Sequence, residues 1–359
     1  MVDTGKWLTP RSGTKLVFDK APLNYWLQAA SIRTLGPTPI AARIPSAIAA
    51  ALTALALWWW GSRLGRERAG WLAAMIYALC PLTMLGLARL AMMDSVLTLC
   101  LSLAIIGWTE AYRGSRNWYL LFAAGAALAV MTKGVLGLLL PGAAFLVWLA
   151  IRREKSEFLR FPWITAAALF LAIVLPWHIA MWRIHGELFV QEYLVHHQIL
   201  RFLGRDFGHN GPVWYYLPVL LIGLFPWSAF AGYAWWRSLR YGLFAGKSSF
   251  DCAGAIWAVW AGVLVFFFSI SRSKLPNYIL PALPPLSLLA AIRLDMLWRE
   301  QGSLKPFETV MIAVGGFIAG TIFLLVGIVG WQWKAQPSEL PRPARLLGNI
   351  MGLKWEAQT

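Results

Sequence analysis

Cysteine, charge and internal repetition are all in short supply in this chain, and each shortage narrows what it can do. The three cysteines, Cys80, Cys100 and Cys252, lie in or beside apolar runs with no CxxC spacing. That excludes a disulfide framework and a cysteine-ligated metal module. Only 13% of residues are charged, 32 Lys+Arg against 16 Asp+Glu, for a formal charge of +16. In a soluble protein this excess would point to nucleic acid. Here the charges sit mostly in short loops between apolar runs, so membrane topology accounts for them and no nucleic-acid partner is expected. No cleavable signal peptide is expected either: the first apolar run begins near Ala41, behind a basic segment, and continues straight into a span. No internal repeat supports a transporter built of inverted halves.

What remains is apolar. The chain is 59% hydrophobic with a mean hydropathy of +0.59 and 22 Trp, a composition that belongs to integral membrane proteins. A helix crosses the roughly 30 Å hydrocarbon layer with about 20 apolar residues. Runs of this kind predict an all-α, polytopic membrane helix bundle with spans near 41–60, 70–88, 94–111, 117–132, 134–151, 162–182, 214–236, 253–270, 276–295 and 308–331. The fourth and fifth are short and joined at Thr132-Lys133-Gly134, as a tight hairpin or a tilted pair. Residues 1–40 read as a polar loop and an interfacial helix opening at Pro22, with Tyr25 and Trp26 as headgroup anchors. Residues 41–331 form the bundle, with a polar loop at 183–213, and 332–359 a tail.

Loop charge assigns the sides. Arg63/Arg66/Arg68, Arg113/Arg116, Arg152/Arg153/Lys155/Arg160, Arg237/Arg240/Lys247 and Arg299/Lys305 fall on alternate turns, which makes them cytoplasmic. The outer face then collects nearly every unusual polar residue. Asp19-Lys20 sets an acid beside a base at the start of the interfacial helix; as a bare surface pair it would be worth under about 1 kcal/mol. Asp94 stands at the outer end of a span among Leu, Ala and Met. It is a functional-site hypothesis by position, and also an acid complementing a helix dipole. Lys133, alone between two spans, either snorkels to the headgroups or holds a phosphate. The 183–213 loop brings His185, His196, His197, Arg201, Arg205, Asp206 and His209, with His197 and Arg201 four apart on one helical face. His197 with Asp19 would make half of a divalent-metal site. In the last outer turn Arg272 and Lys274 are placed to neutralise a phosphate, and Tyr278 to donate a hydrogen bond to it; otherwise this is a basic turn held by headgroups.

Five runs fall in order: Phe18-Asp19-Lys20-Ala21-Pro22-Leu23, Arg43-Ile44-Pro45-Ser46, Ala88-Arg89-Leu90-Ala91-Met92-Met93-Asp94, His196-His197-Gln198-Ile199-Leu200-Arg201-Phe202 and Lys274-Leu275-Pro276-Asn277-Tyr278. Together they resemble bacterial members of the dolichyl-phosphate-mannose protein mannosyltransferase superfamily, and within it the lipid A aminoarabinose (undecaprenyl-phosphate-aminoarabinose) transferases. The resemblance runs from Met1 to about residue 300. It implies the C-type membrane glycosyltransferase fold, with interfacial helices on the periplasmic face of a bacterial inner membrane. The implied activity is transfer of a sugar from a polyprenyl-phosphate donor to a periplasmic lipid or protein acceptor such as lipid A. It also implies catalytic roles for Asp94 and Asp19, and a divalent metal (Zn or Mg) at Asp19 and His197. Lys20 would contact the donor phosphate, with Arg201, Lys274, Tyr278 and Lys133 as further phosphate-binding candidates. Asp94 would orient the acceptor, and would serve as general base only for a hydroxyl. The chain departs from the family at Ala21, usually proline, and at Asp19, often glutamate. Relatives also place a membrane helix and an Asp-Glu pair before this stretch, so a truncated start at Met1 is expected. Two rival readings stand beside the enzyme: a flippase for a polyprenyl-linked or anionic lipid, and a catalytically inactive family member.

Overall fold

The structure, a computed structural model, describes residues 1–299 except 3, 4, 6, 13, 14, 88, 89, 201–210 and 245–248, with scattered helical positions between 306 and 325. The tail beyond residue 331 lies outside the described residues. A short antiparallel hairpin pairs Arg11–Ser12 with Lys15–Leu16. Twelve described α-helices follow, with π and 3₁₀ turns between them: α1 (Leu23–Leu35), α2 (Pro39–Arg63), α3 (Glu67–Leu79), α4 (Asp94–Arg113), α5 (Tyr119–Lys133), α6 (Leu136–Arg152), α7 (Lys155–Arg160), α8 (Trp163–Phe189), α9 (Tyr216–Gly223), α10 (Ser228–Phe244), α11 (Ser249–Ile270) and α12 (Leu283–Arg299).

Among the described residues, five helical stretches are long and apolar enough to cross a membrane: Pro39–Arg63, Asp94–Arg113, Trp163–His197, Cys252–Ile270 and Pro276–Arg299. A sixth is the pair Val213–Gly223 and Ser228–Arg240, bent by 118°. The chain is thus a multi-pass membrane protein, but not every expected span is one straight helix. The stretch expected at 70–88 stops at Leu79, because Pro81 has no N–H to give; the chain goes on in wider π-helical turns over Leu82–Leu87. The stretch expected at 214–236 breaks around Pro226 for the same reason. The short pair α5 and α6 does form a hairpin, turning at Gly134 with φ +79°.

The bundle interior is aromatic. Trp60, Trp108, Trp148, Trp257 and Trp260 are fully buried, with the Trp60 and Trp257 rings 5.1 Å apart. Apolar side chains such as Ile164 (86% exposed) face outward instead, as a lipid-facing surface requires. Where helices touch most closely, side chains are absent. A Cβ on Gly61 of α2 would stand 2.4 Å from the Cα of Gly70 on α3, the small-residue approach of membrane helices. Gly61→Val is therefore expected to push α2 and α3 apart at a cost of roughly 1–3 kcal/mol. Thermal unfolding in detergent checks this, with Gly142→Ala, which meets open space, as the unaffected control.

Candidate active site

An antiparallel helix pair brings the two central charges together. Gly125 of α5 lies so close to α4 that a Cβ would meet the backbone N of Ala104 at 2.7 Å, which fixes the register of the pair. Asp94 is the first residue of α4 and Lys133 the last of α5, so each complements its helix dipole and both reach the same end of the bundle. There Lys133 Nζ donates to Asp94 Oδ1 at 2.6 Å, with both side chains buried. Asn277 Nδ2, from the 3₁₀ turn Pro276–Ala282, donates to Asp94 Oδ2 at 2.7 Å. The ammonium of Lys133 also stands 4.3 Å from the ring centroid of Tyr278, a cation–π contact. Both carboxylate oxygens are thus engaged, and a charge pair that would be costly to bury alone is held by two neighbouring groups, Asn277 and Tyr278. The segment leading into Asp94 is pinned in turn: Ser46 Oγ donates to Met92 O at 2.7 Å and Gln28 Nε2 to Ala91 O at 3.0 Å.

The Asp19-Lys20 turn lies at the same end. Phe18 and Ala21, on either side of it, pack in one cluster with Met131 of α5 and with Trp177, Met181, Phe189 and Tyr193. Lys20 is buried and its Nζ donates to Asp19 O at 2.7 Å. Asp19 Oδ1 accepts from Tyr25 Oη at 2.9 Å. Burial, then the adjacent Asp19 carboxylate, pushes the Tyr25 phenol above its ordinary pKa and keeps it a donor. The preceding segment is strapped across α1 and α8, with Trp26 Nε1 on Trp7 O at 2.7 Å and Trp177 Nε1 on Leu8 O at 2.9 Å.

Beyond α8 the chain widens into π-type turns over Val190–Leu200. With i→i+5 hydrogen bonding, residues four and five ahead both lie one turn above a given position. Glu192, His196 and His197 accordingly face one another, their ligand atoms all within 4.8 Å. Asp19 lies outside that group. His185 is engaged elsewhere, 2.9 Å from Thr9 Oγ1 and edge-on to Phe18 at 5.1 Å. Arg201, Arg205, Asp206 and His209 lie outside the described residues. Lys274 is buried and donates to the carbonyls of Phe268, Ser269 and Ser271 at 3.2, 2.6 and 2.6 Å. It caps the end of α11, and burial holds its ammonium below the usual lysine range.

Three partners are not singled out in the sequence, two of them because they carry no charge. Asn277 stands inside the run from Lys274 to Tyr278 but carries no charge to mark it. Thr98, whose Oγ1 donates to Asp94 O at 2.7 Å, looks like any hydroxyl in a span. Glu192 does leave a signal, four residues before His196, where a helix puts both on one side.

Comparison with known proteins finds chains similar to this one. Residues 19–182 match the family described as dolichyl-phosphate-mannose-protein mannosyltransferase. The undecaprenyl phosphate-alpha-4-amino-4-deoxy-L-arabinose arabinosyl transferase of Erwinia tasmaniensis is 30% identical, over 99% of this chain and 64% of its own. Its counterpart in Aeromonas hydrophila is 33% identical, over 86% of this chain and 56% of its own. The chain therefore spans about three fifths of the length of these relatives. Among solved structures, that of ArnT from Cupriavidus metallidurans bound to undecaprenyl phosphate superposes with a TM-score of 0.78 at 25% identity, covering 92% of this chain and 58% of that one. The Archaeoglobus fulgidus oligosaccharyltransferase, at 13% identity and a TM-score of 0.54 over 95% of this chain and 52% of its own, shares the fold alone.

Proposed function

The chain belongs to the dolichyl-phosphate-mannose protein mannosyltransferase superfamily, and from that premise we propose that it works as a membrane glycosyltransferase. It moves a sugar from a polyprenyl-phosphate donor to an acceptor such as lipid A. The observation that carries this reading is the buried Asp94–Lys133–Asn277 cluster at one end of the bundle, beside Tyr278. A flippase would set such charges near the midplane on broken helices; here they sit at helix termini. The arginine-rich loops gather at the opposite end, where Arg66 and Arg299 share Asp295 and Arg63 and Arg113 share Glu110. The positive-inside rule makes that end cytoplasmic and the active face periplasmic, in a bacterial inner membrane.

In the reaction an acceptor oxygen bonds to the anomeric carbon of the sugar while the bond from that carbon to the lipid phosphate breaks. Negative charge grows on the departing phosphate, and Lys20, held by Asp19 O, supplies the positive charge that stabilises it. A phosphate acceptor is already an anion and needs no general base. That suits Asp94, whose two oxygens are occupied by Lys133 and Asn277: it anchors the cation at the site and takes no proton. Lys133 and Tyr278, in contact with each other, orient the phosphate groups.

Among the described residues, one group could hold a divalent ion. Glu192, His196 and His197 offer a carboxylate and two imidazoles within 4.8 Å, a donor set that suits Zn²⁺ better than the all-oxygen preference of Mg²⁺. Bound there, the ion would supply Lewis acidity toward a phosphate oxygen.

The test is transfer itself. Membranes carrying the full-length protein, given labelled undecaprenyl-phosphate aminoarabinose and lipid A, are expected to move label to the acceptor. Lys20→Ala should lower turnover about 10- to 100-fold, the worth of one charge-assisted hydrogen bond. No transfer to any lipid or protein acceptor, or full turnover in Lys20→Ala, overturns the reading.

A further inference from the structure

The end of the bundle away from the candidate site holds a second concave surface that sugar transfer leaves without a role. It is a cavity of about 770 Å³ lined by Ser62, Gly65, Glu67, Arg68, Trp71 and Arg299, where α2 ends, α3 begins and α12 ends. Cations outweigh acids around it. Buried Asp295 serves two guanidinium groups at once, Arg66 at 2.9 Å and Arg299 at 3.1 Å. Arg68 lies over the Trp298 ring at 5.0 Å and, among the described residues, forms no ion pair. Glu67 is the one acid among the lining residues.

An apolar stripe leads out of this recess. Trp71, Met75 and Leu79 of α3 are 54, 53 and 59% exposed, and their spacing of four stacks them on one face. At 1.5 Å per residue the stripe runs roughly 12 Å from the cavity toward the membrane interior. Exposed Trp298 and Trp71 flank the arginines, as indoles do at headgroup depth. A cationic recess opening onto an apolar stripe has the two-part chemistry of a phospholipid.

We propose that this recess binds a single anionic phospholipid, its phosphodiester between Arg68 and Arg299 and an acyl chain along Trp71, Met75 and Leu79. Guanidinium groups take phosphate oxygens in pairs, and basic recesses between membrane helices on the cytoplasmic side select anionic headgroups. The ammonium of a zwitterionic lipid would add positive charge where three arginines already crowd.

Native mass spectrometry of the full-length protein, titrated in detergent with phosphatidylglycerol, tests this. One tightly held lipid is expected, and Arg68→Gln/Arg299→Gln should weaken its binding about 10-fold. Arg33→Gln/Arg183→Gln, which removes the same charge from exposed positions on other elements, should leave binding within about twofold. Arg299→Gln also strips a partner from Asp295, so Arg68→Gln alone is the second arm; it breaks no ion pair and should weaken binding about threefold. Unchanged binding in Arg68→Gln, an equal loss in the control pair, or equal uptake of phosphatidylethanolamine or phosphatidylcholine overturns the proposal.

Discussion

Lys133→Met should cost the protein about 3–5 kcal/mol of stability, because it removes one partner of a buried ion pair and leaves the other charged. Methionine fills much of the lysine volume, so the loss comes from Asp94, whose Oδ1 then has no cation in a site where both side chains are under one tenth exposed. Turnover should fall with it by on the order of 10²- to 10³-fold. The pairing, not the lysine alone, is what the experiment reads. Asp94→Leu/Lys133→Met removes both charges and should recover most of the lost stability while remaining inactive. Thermal unfolding in detergent and label transfer measure the two quantities separately. A single variant as stable as the parent would mean that the buried pair contributes nothing.

The second large effect is expected at Asn277. Asn277→Ala takes one donor from Asp94 Oδ2 and should reduce turnover roughly 10-fold, with KM little changed. Asn277→Asp is nearly the same shape, yet it sets a second carboxylate where the amide stood, 2.7 Å from the first. Two like charges at that range repel strongly, so this variant should be worse than the alanine by a further 10-fold or more. An aspartate variant as active as the parent would remove Asn277 from the site.

Much of this was legible in the sequence, and what was not has physical causes. Apolar run length found α2, α4, α8 and α11, because a span must be long and uninterrupted. It overran at 70–88 and 214–236, where Pro81 and Pro226 break hydrogen bonding inside a run that stays apolar throughout. Asp94 and Lys133 stood out because charge at a span end is rare, but their meeting depends on helix register, which a list of charges does not carry. Lys274 reads as a phosphate ligand by its charge alone; its three carbonyl partners belong to backbone geometry. The histidine-rich loop looked like one set. The wide turns over Val190–Leu200 divide it, joining His196 and His197 to Glu192 while His185 goes to Thr9.

The Gly125–Ala104 approach has a consequence for how such a protein can change over time. Asp94 opens one helix and Lys133 closes its antiparallel neighbour, so the spacing between them is counted in whole residues along two rods locked side by side. One residue inserted into α5 between Gly125 and Lys133 would swing the ammonium through about 100° and carry it about 1.5 Å along the axis. Substitutions within the rods leave that count intact. Lineages can therefore exchange residues of α4 and α5 wherever the packing is kept, while insertions and deletions there are forbidden.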